Sequence, residues 1–355
     1  MLFPNANVIV NPLLLVLLGV IVGTLGGFFG VGGGFLITGG LLVFGVPPLF
    51  TVGTGLTLIM GSSIINVLKH RNLGNLDFRL GLLTIGGTVP ALFLAERLNV
   101  LLESAGIAEP VIGFIYVGLL TFFGIFILYD YLKTRKGVSN SRDKISTARL
   151  AHRLQDLRIP SHSILFPGMG RVSMYTSLPV SAIESVHILV PIAMGFGVGF
   201  LAGLLGAGDG FILLPILIFV LGVPTAIAVG TGLLQIIVTG AIGTVLYSLS
   251  NHVDLLMAVI MLAAASAGSQ LGATATRFVD ASRIRILFGV TVLSASIAIA
   301  LKQISENVAS PDFLDAAASI ILLGVSGAIV VVIGALLLQA RRVKTAMQQA
   351  ESSVE

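Results

Sequence analysis

The sequence predicts an all-α polytopic membrane protein: two inverted repeats of about five hydrophobic segments each, with short broken helices after glycine loops, plus one extra C-terminal transmembrane helix. Three observations predict it. The 355 residues are 55% hydrophobic and only 10% charged, with a mean hydropathy of +1.04, more apolar side chain than a soluble domain can bury. A glycine-dense stretch, Gly30-Val31-Gly32-Gly33-Gly34-Phe35, recurs as Gly206-Ala207-Gly208-Asp209-Gly210-Phe211 at the corresponding point of the second half. Lys and Arg cluster in alternate connections between apolar runs.

The runs are continuous rather than alternating, which excludes a transmembrane barrel. In the first half they cover Asn11–Phe29, Phe35–Val46, Phe50–Leu68, Leu76–Ala95 and Pro110–Leu132; in the second, Ile188–Leu205, Phe211–Gly222, Ala226–Leu249, Val253–Thr276 and Ile284–Leu301. An eleventh runs from Phe313 to Leu338. Most reach the ~20 residues that cross a ~30 Å hydrocarbon core. The second and seventh do not, and read as half-span helices or arms of re-entrant hairpins. Met1 to Asn11 carries no Lys or Arg, so no cleavable signal is expected there.

The two halves share one register. Gly19, Gly23, Gly27 and Gly30 recur at the spacing of Gly195, Gly199, Gly203 and Gly206, Gly45-Val46-Pro47 matches Gly222-Val223-Pro224, and Val52-Gly53-Thr54-Gly55-Leu56 matches Val229-Gly230-Thr231-Gly232-Leu233. Asp77 then falls opposite Asp254. The expected organisation is a first repeat over 1–132, a basic cytoplasmic linker over 133–186, a second repeat over 187–303, a C-terminal transmembrane helix over 304–340 and a cytoplasmic tail over 341–355. Within the linker, Leu150, Leu154 and Leu157 flanked by Arg149, Arg153 and Arg158 predict a short amphipathic helix on the anionic inner leaflet.

Charge placement sets the orientation, because Lys and Arg near segment ends stay on the cytoplasmic side. With the linker inside, eighteen of the twenty Lys and Arg residues fall inside, and Arg97 and Lys302 outside. The expected localisation is the cell membrane, with the N-terminus outside and the linker and C-terminus in the cytoplasm. Five segments per repeat is an odd number, so the second repeat is inverted, the architecture of alternating-access transporters.

As a set, the twice-occurring glycine loop, Gly-Val-Pro turn, Gly-Thr-Gly helix start and Asn/His-x-Asp turn resemble the sulfite exporter TauE/SafE family over roughly Asn11 to Leu301. The resemblance implies a permease for sulfur-containing anions such as sulfite or organosulfonates. Asp209 departs from it, standing at a loop position often held by glycine.

Candidate substrate-binding residues are Gly32, Gly33, Gly34, Thr54, Asn66, Gly208, Gly210, Thr231 and Gln235, with Asp209 as the coupling residue. Backbone N–H groups freed where a helix restarts form a concave nest, the helix dipole adds about half a positive charge, and glycine lets a small oxyanion approach closely. Thr54, Asn66, Thr231 and Gln235 add polar groups inside apolar helices; interhelical hydrogen bonding is the competing role for each. Asp209 sits in an apolar stretch, where a carboxylate costs at least ~3 kcal/mol on insertion scales. It reads either as a group coupling transport to H⁺ or Na⁺, or as a helix cap facing water at the outer mouth. Asp77 and Asp254 read as helix caps, and His70 and His252 as solvated interfacial residues.

With no cysteine, disulfides and thiolate metal sites are excluded. No metal-ligand spacing, Walker loop or nucleophile motif occurs, so neither enzyme activity nor a metal or cofactor is expected. The expected partners are a small anionic substrate, membrane lipid and an H⁺ or Na⁺ coupling ion; nucleic acid is not expected and homo-oligomerisation is left open. A passive anion channel and a non-transporting scaffold or receptor domain are the alternatives to a transporter.

Overall fold

A computed structural model describes residues 1–72, 76–135, 165–166, 170–171, 175–276, 279, 281–306 and 311–352. Helices dominate: α1 (Pro12–Phe29), α2 (Gly34–Val43), α3 (Pro48–Asn72), α4 (Phe78–Ser104) and α5 (Ala108–Arg135) in the first half, then α6 (Leu189–Leu205), α7 (Gly210–Phe219), α8 (Thr225–Leu249), α9 (Leu255–Ala275), α10 (Ala281–Ser305) and α11 (Pro311–Ser352). Among the described residues, seven helices are long and apolar enough to cross a membrane. Large apolar side chains such as Leu82, Phe114, Phe122, Ile320 and Val331 face outward, as a lipid solvent requires. The predicted amphipathic helix around Leu154 lies outside the described residues.

The short segments are ten-residue helices, α2 and α7, each spanning about 15 Å, half a bilayer core. Each follows a helix whose end is turned by a glycine in the left-handed region: Gly30 (φ 73°) closes α1, and Gly206 (φ 64°) closes α6. In both cases the cap N–H donates to the carbonyl four residues back.

The helix pairs exchange between halves. α1 lies along α9 as α6 lies along α4, while α3 packs on α8 and α5 on α10. Glycines make the first two seams tight. A Cβ on Gly23 would stand 2.1 Å from the Ala265 carbonyl oxygen, and one on Gly195 would stand 1.9 Å from that of Thr84. In lipid, where no hydrophobic force pulls helices together, such small residues at four-residue spacing let backbones approach.

Two β-hairpins precede the helical sets. β1 (Leu2–Phe3) pairs with β2 (Val8–Ile9), and β5 (Tyr175–Leu178) with β6 (Ile183–His187); a further pair, β3 (Leu165–Phe166) and β4 (Gly170–Arg171), stands earlier in the linker. In the β5–β6 hairpin, Leu178, Ser181, Ile183 and Val186 are buried, and the Ser181 hydroxyl donates to Asp77 Oδ2 at 2.6 Å. In the β1–β2 hairpin, Phe3 and Ala6 are buried, and Asn5 Nδ2 donates to the Val253 carbonyl at 3.3 Å. Each hairpin therefore docks where the fourth helix of the opposite half begins. The segment read as polar linker thus ends in a hairpin seated against the helices.

Candidate functional site

The two glycine loops abut at the centre of the molecule. A Cβ on Gly34 would lie 2.0 Å from the Ala207 carbonyl oxygen, and one on Gly210 would lie 2.6 Å from that of Val31. α3 and α8 cross over this junction through a matched pair of isoleucines, since Gly34 and Gly208 face Ile59 while Gly32 and Gly210 face Ile236. Both isoleucines are fully buried. Each loop also leans on the start of the other half's third helix, Gly206 against Val52 and Gly30 against Val229.

First-turn N–H groups of α2 and α7 have no partner inside their own helices, and no side chain caps either start. Asp209 occupies the N-cap position of α7 but makes no capping bond and is fully buried. The reading of Asp209 as a water-facing cap is therefore overturned. Its carboxylate turns instead to α8, where the Thr239 hydroxyl donates to Oδ2 at 2.8 Å, while Oδ1 has no partner. The backbone explains why only one loop carries a side chain here: Asp209 has φ −85°, whereas its counterpart Gly33 has φ 71°, strained for any L side chain.

Gln235 lies one turn before Thr239 on the same face of α8. Its Nε2 donates to the Thr88 hydroxyl of α4 at 3.0 Å, and Thr88 donates in turn to the Gly195 carbonyl of α6 at 2.9 Å. A buried polar chain thus joins α7, α8, α4 and α6. The equivalent place in the first half is a cavity of about 10 Å³, room for one water, lined by Gly23, Gly26, Gly27, Gly32, Ser62 and Ser269. Nearby, the buried Ser63 hydroxyl has no partner.

The structure thus brings Gly32, Gly33, Gly34, Gly208, Asp209, Gly210 and Gln235 together. Thr54 and Thr231 are turned to the two helix caps: the Thr54 hydroxyl accepts from the Asp254 N–H at 3.0 Å, and that of Thr231 from the Asp77 N–H at 3.1 Å. Both carboxylates cap as expected, Asp77 accepting from the N–H groups of Arg79 and Leu80 and Asp254 from that of Met257. Asn66 belongs to α3, but its side chain lies outside the described residues, as does that of His70. His252 is not solvated. Its side chain is 15% exposed, pairs with Glu103 at 3.0 Å and lies edge-on to Phe50.

Sequence reasoning missed Thr88, Thr239, Ile59 and Ile236. Thr231, Gln235 and Thr239 form an i, i+4, i+8 polar stripe that was open to reading; the isoleucines carry no polar signal at all. Also missed were the clamps that hold the broken helices. Tyr116 donates to the Phe35 carbonyl at 2.6 Å, Asn99 Nδ2 to the Leu204 carbonyl at 3.0 Å, and Thr276 to the Phe28 carbonyl at 3.1 Å.

A polytopic bundle with two broken helices meeting at its centre is the architecture of a membrane transporter. The profile of the sulfite exporter TauE/SafE family matches residues 15–299, and the chain belongs to that family. It is 25% identical over 288 residues to the probable membrane transporter protein YunE of Bacillus subtilis (strain 168), covering 79% of this chain and 94% of the relative. It is 28% identical over 291 residues to the probable membrane transporter protein MJ0441 of Methanocaldococcus jannaschii, covering 77% and 90%. A 103-residue match at 33% identity joins it to a probable membrane transporter protein of Xylella fastidiosa (strain Temecula1), over 29% of this chain and 40% of the relative. No solved structure matches.

Proposed function

We propose that this protein is a secondary transporter that moves a small sulfur-containing or similar organic anion, such as sulfite or an organosulfonate, by alternating access coupled to a cation through Asp209. The observation that carries the reading is the meeting of two uncapped helix starts, Gly34 against Ala207 and Gly210 against Val31. Free N–H groups and two helix-dipole termini there favour an anion, and the absence of side chains restricts it to a small one. The substrate class rests on the family's description.

The two halves are inverted repeats in this reading. Support comes from the exchanged helix pairs, the exchanged Thr–Asp bonds and the two hairpins docked at opposite helix starts. The proposed orientation, from the basic residues, is N-terminus outside with the linker and C-terminus inside. In this reading the buried Ile59 and Ile236, packed on the glycine loops, are where the path is closed, which favours alternating access over a passive channel, since a channel needs a continuous polar path. Protonated, Asp209 admits an anion to the adjacent loop; ionised, it repels one.

Flux of radiolabelled sulfite, an organosulfonate and sulfate into proteoliposomes, with and without imposed H⁺ and Na⁺ gradients, tests the proposal. Gradient-dependent accumulation of at least one of these anions is expected. Equal flux with and without protein contradicts it.

A further inference from the structure

We infer that the corner joining α8 to α9, Ser250 to Asp254, is the gate on its side of the molecule, and that the last turns of α4 latch it shut in the conformation described here. The inference rests on the transporter reading above for what passes the gate, not for the joint itself.

Three side chains on one face of α4, Glu96, Asn99 and Glu103, reach the end of α8 and the corner. The Glu96 carboxylate accepts from the Ser250 hydroxyl, Asn99 Nδ2 donates to the Tyr247 hydroxyl at 2.6 Å, and Glu103 pairs with His252 at 3.0 Å. The middle link runs on to the second glycine loop. Tyr247 donates to the Gly203 carbonyl at 3.0 Å, and Asn99 Nδ2 donates also to that of Leu204 at 3.0 Å. Both carbonyls belong to the last turn of α6, which Gly206 closes.

The corner lies against a cleft on one side and leads to that loop on the other. The cleft, of about 380 Å³, is lined in part by Ser248, Asn251 and Val253, of which Ser248 and Asn251 are exposed. From the corner the path of contacts to the loop is short. A Cβ on Gly53, at the start of α3, would stand 2.3 Å from the His252 carbonyl oxygen, and the adjacent Val52 backbone is what a Cβ on Gly206 would meet, at 2.4 Å.

Two features mark a joint that opens rather than a permanent staple. Buried Asn99 Oδ1 and His252 Nδ1 have no partner among the described residues; water admitted by opening would supply both and offset the links that break. The joint is also one-sided. Counting from Asp77 and Asp254, Thr276 stands where Asn99 does, and it donates to the Phe28 carbonyl as Asn99 does to that of Leu204. That clamp on a broken helix serves both halves. Ala273, however, stands where Glu96 does, so the buried carboxylate link belongs to one end alone. Alternating access requires the two ends to open in turn, and a latch at one end holds it shut while the other opens.

The cysteine-free chain lets a single reporter thiol test this in nanodiscs, where both faces meet the reagent and orientation does not enter. Val52→Cys places the thiol behind the corner, and Val292→Cys, equally buried on α10, is the control. Modification by a charged methanethiosulfonate is expected to be slow at both in the otherwise native chain. Ser250→Ala, which strands the buried Glu96 carboxylate, should speed it at Val52→Cys on the order of tenfold. Glu103→Ala, at the more exposed link, should speed it about two- to fivefold, and neither should change the rate at Val292→Cys. Unchanged rates at Val52→Cys in both variants overturn the proposal, as does an equal rise at the two reporters, which would make these links general supports of the fold. A chain that responds as expected and carries no sulfur anion contradicts the transport reading while supporting the gate.

Discussion

The Thr54 hydroxyl accepts a hydrogen bond from the backbone N–H of Asp254, 200 residues away, and Thr231 and Asp77 make the same bond in the opposite sense. Each half thereby completes a helix start in the other. Replacing either threonine by valine keeps the volume and strands a buried N–H, at about 1–3 kcal/mol. Thr54→Val and Thr231→Val are expected to lower the melting temperature in detergent while leaving the apparent substrate affinity of the surviving protein unchanged. A large rise in KM without loss of stability would assign these hydroxyls to the anion instead.

Adjacent glycines on α4 make a sharper packing test. Nothing lies within 4 Å of a Cβ placed on Gly86, whereas one on Gly87 would stand 1.9 Å from the Ile192 carbonyl oxygen of α6. Gly86→Ala is expected to be neutral or to stabilise by roughly 0.5–1 kcal/mol. Gly87→Ala should cost at least about 1–3 kcal/mol by overpacking, read as loss of monodisperse protein in size-exclusion chromatography. Equal behaviour of the pair would mean that the α4–α6 seam is not packed as described.

At the non-cytoplasmic end in the proposed orientation, partial burial first and the neighbouring Glu109 carboxylate second push the Glu306 carboxyl up to about 7. Lys302 pairs with Asp315 at 3.2 Å beside it. A raised acid holds its proton more firmly folded than unfolded. Its effect is absent below the unfolded value, and stability falls as pH rises from about 4.5 through about 7. Glu306→Gln should flatten that part of the profile, read from melting temperatures between about pH 5 and pH 8. An unchanged slope would place the pH sensitivity elsewhere.

The proposed orientation is open to chemistry because the chain has no cysteine. Ser141→Cys in the linker is expected to resist an impermeant maleimide in sealed cells and to react after permeabilisation. Labelling from outside would reverse the assignment.

Most of the helical framework was legible because lipid-facing helices announce themselves by unbroken hydropathy, and the short α2 and α7 because glycines interrupt it. The apolar run ends at Ala95, but α4 continues to Ser104. The extra turns contain Glu96, whose carboxylate accepts from Ser250, and Asn99, which bonds Tyr247 at 2.6 Å; polar residues satisfied by distant partners look like a boundary in one dimension. The hairpins were invisible for a related reason, since strands this short, from Leu2–Phe3 to Ile183–His187, show no clear period and are held by contacts such as Ser181 with Asp77. At the centre, Asp209 stood out by its cost in lipid. Thr239 and Thr88 did not, since a threonine in an apolar helix bonds its own backbone as readily as a neighbour.

The central claim, that Asp209 couples anion movement to a proton, is tested most directly by comparing native protein and Asp209→Asn in two assays on the same proteoliposomes. The account predicts that Asp209→Asn, fixed in the neutral form, still exchanges labelled anion for unlabelled anion across the bilayer but no longer accumulates it when a pH gradient is imposed. Accumulation by Asp209→Asn to the native level would contradict it.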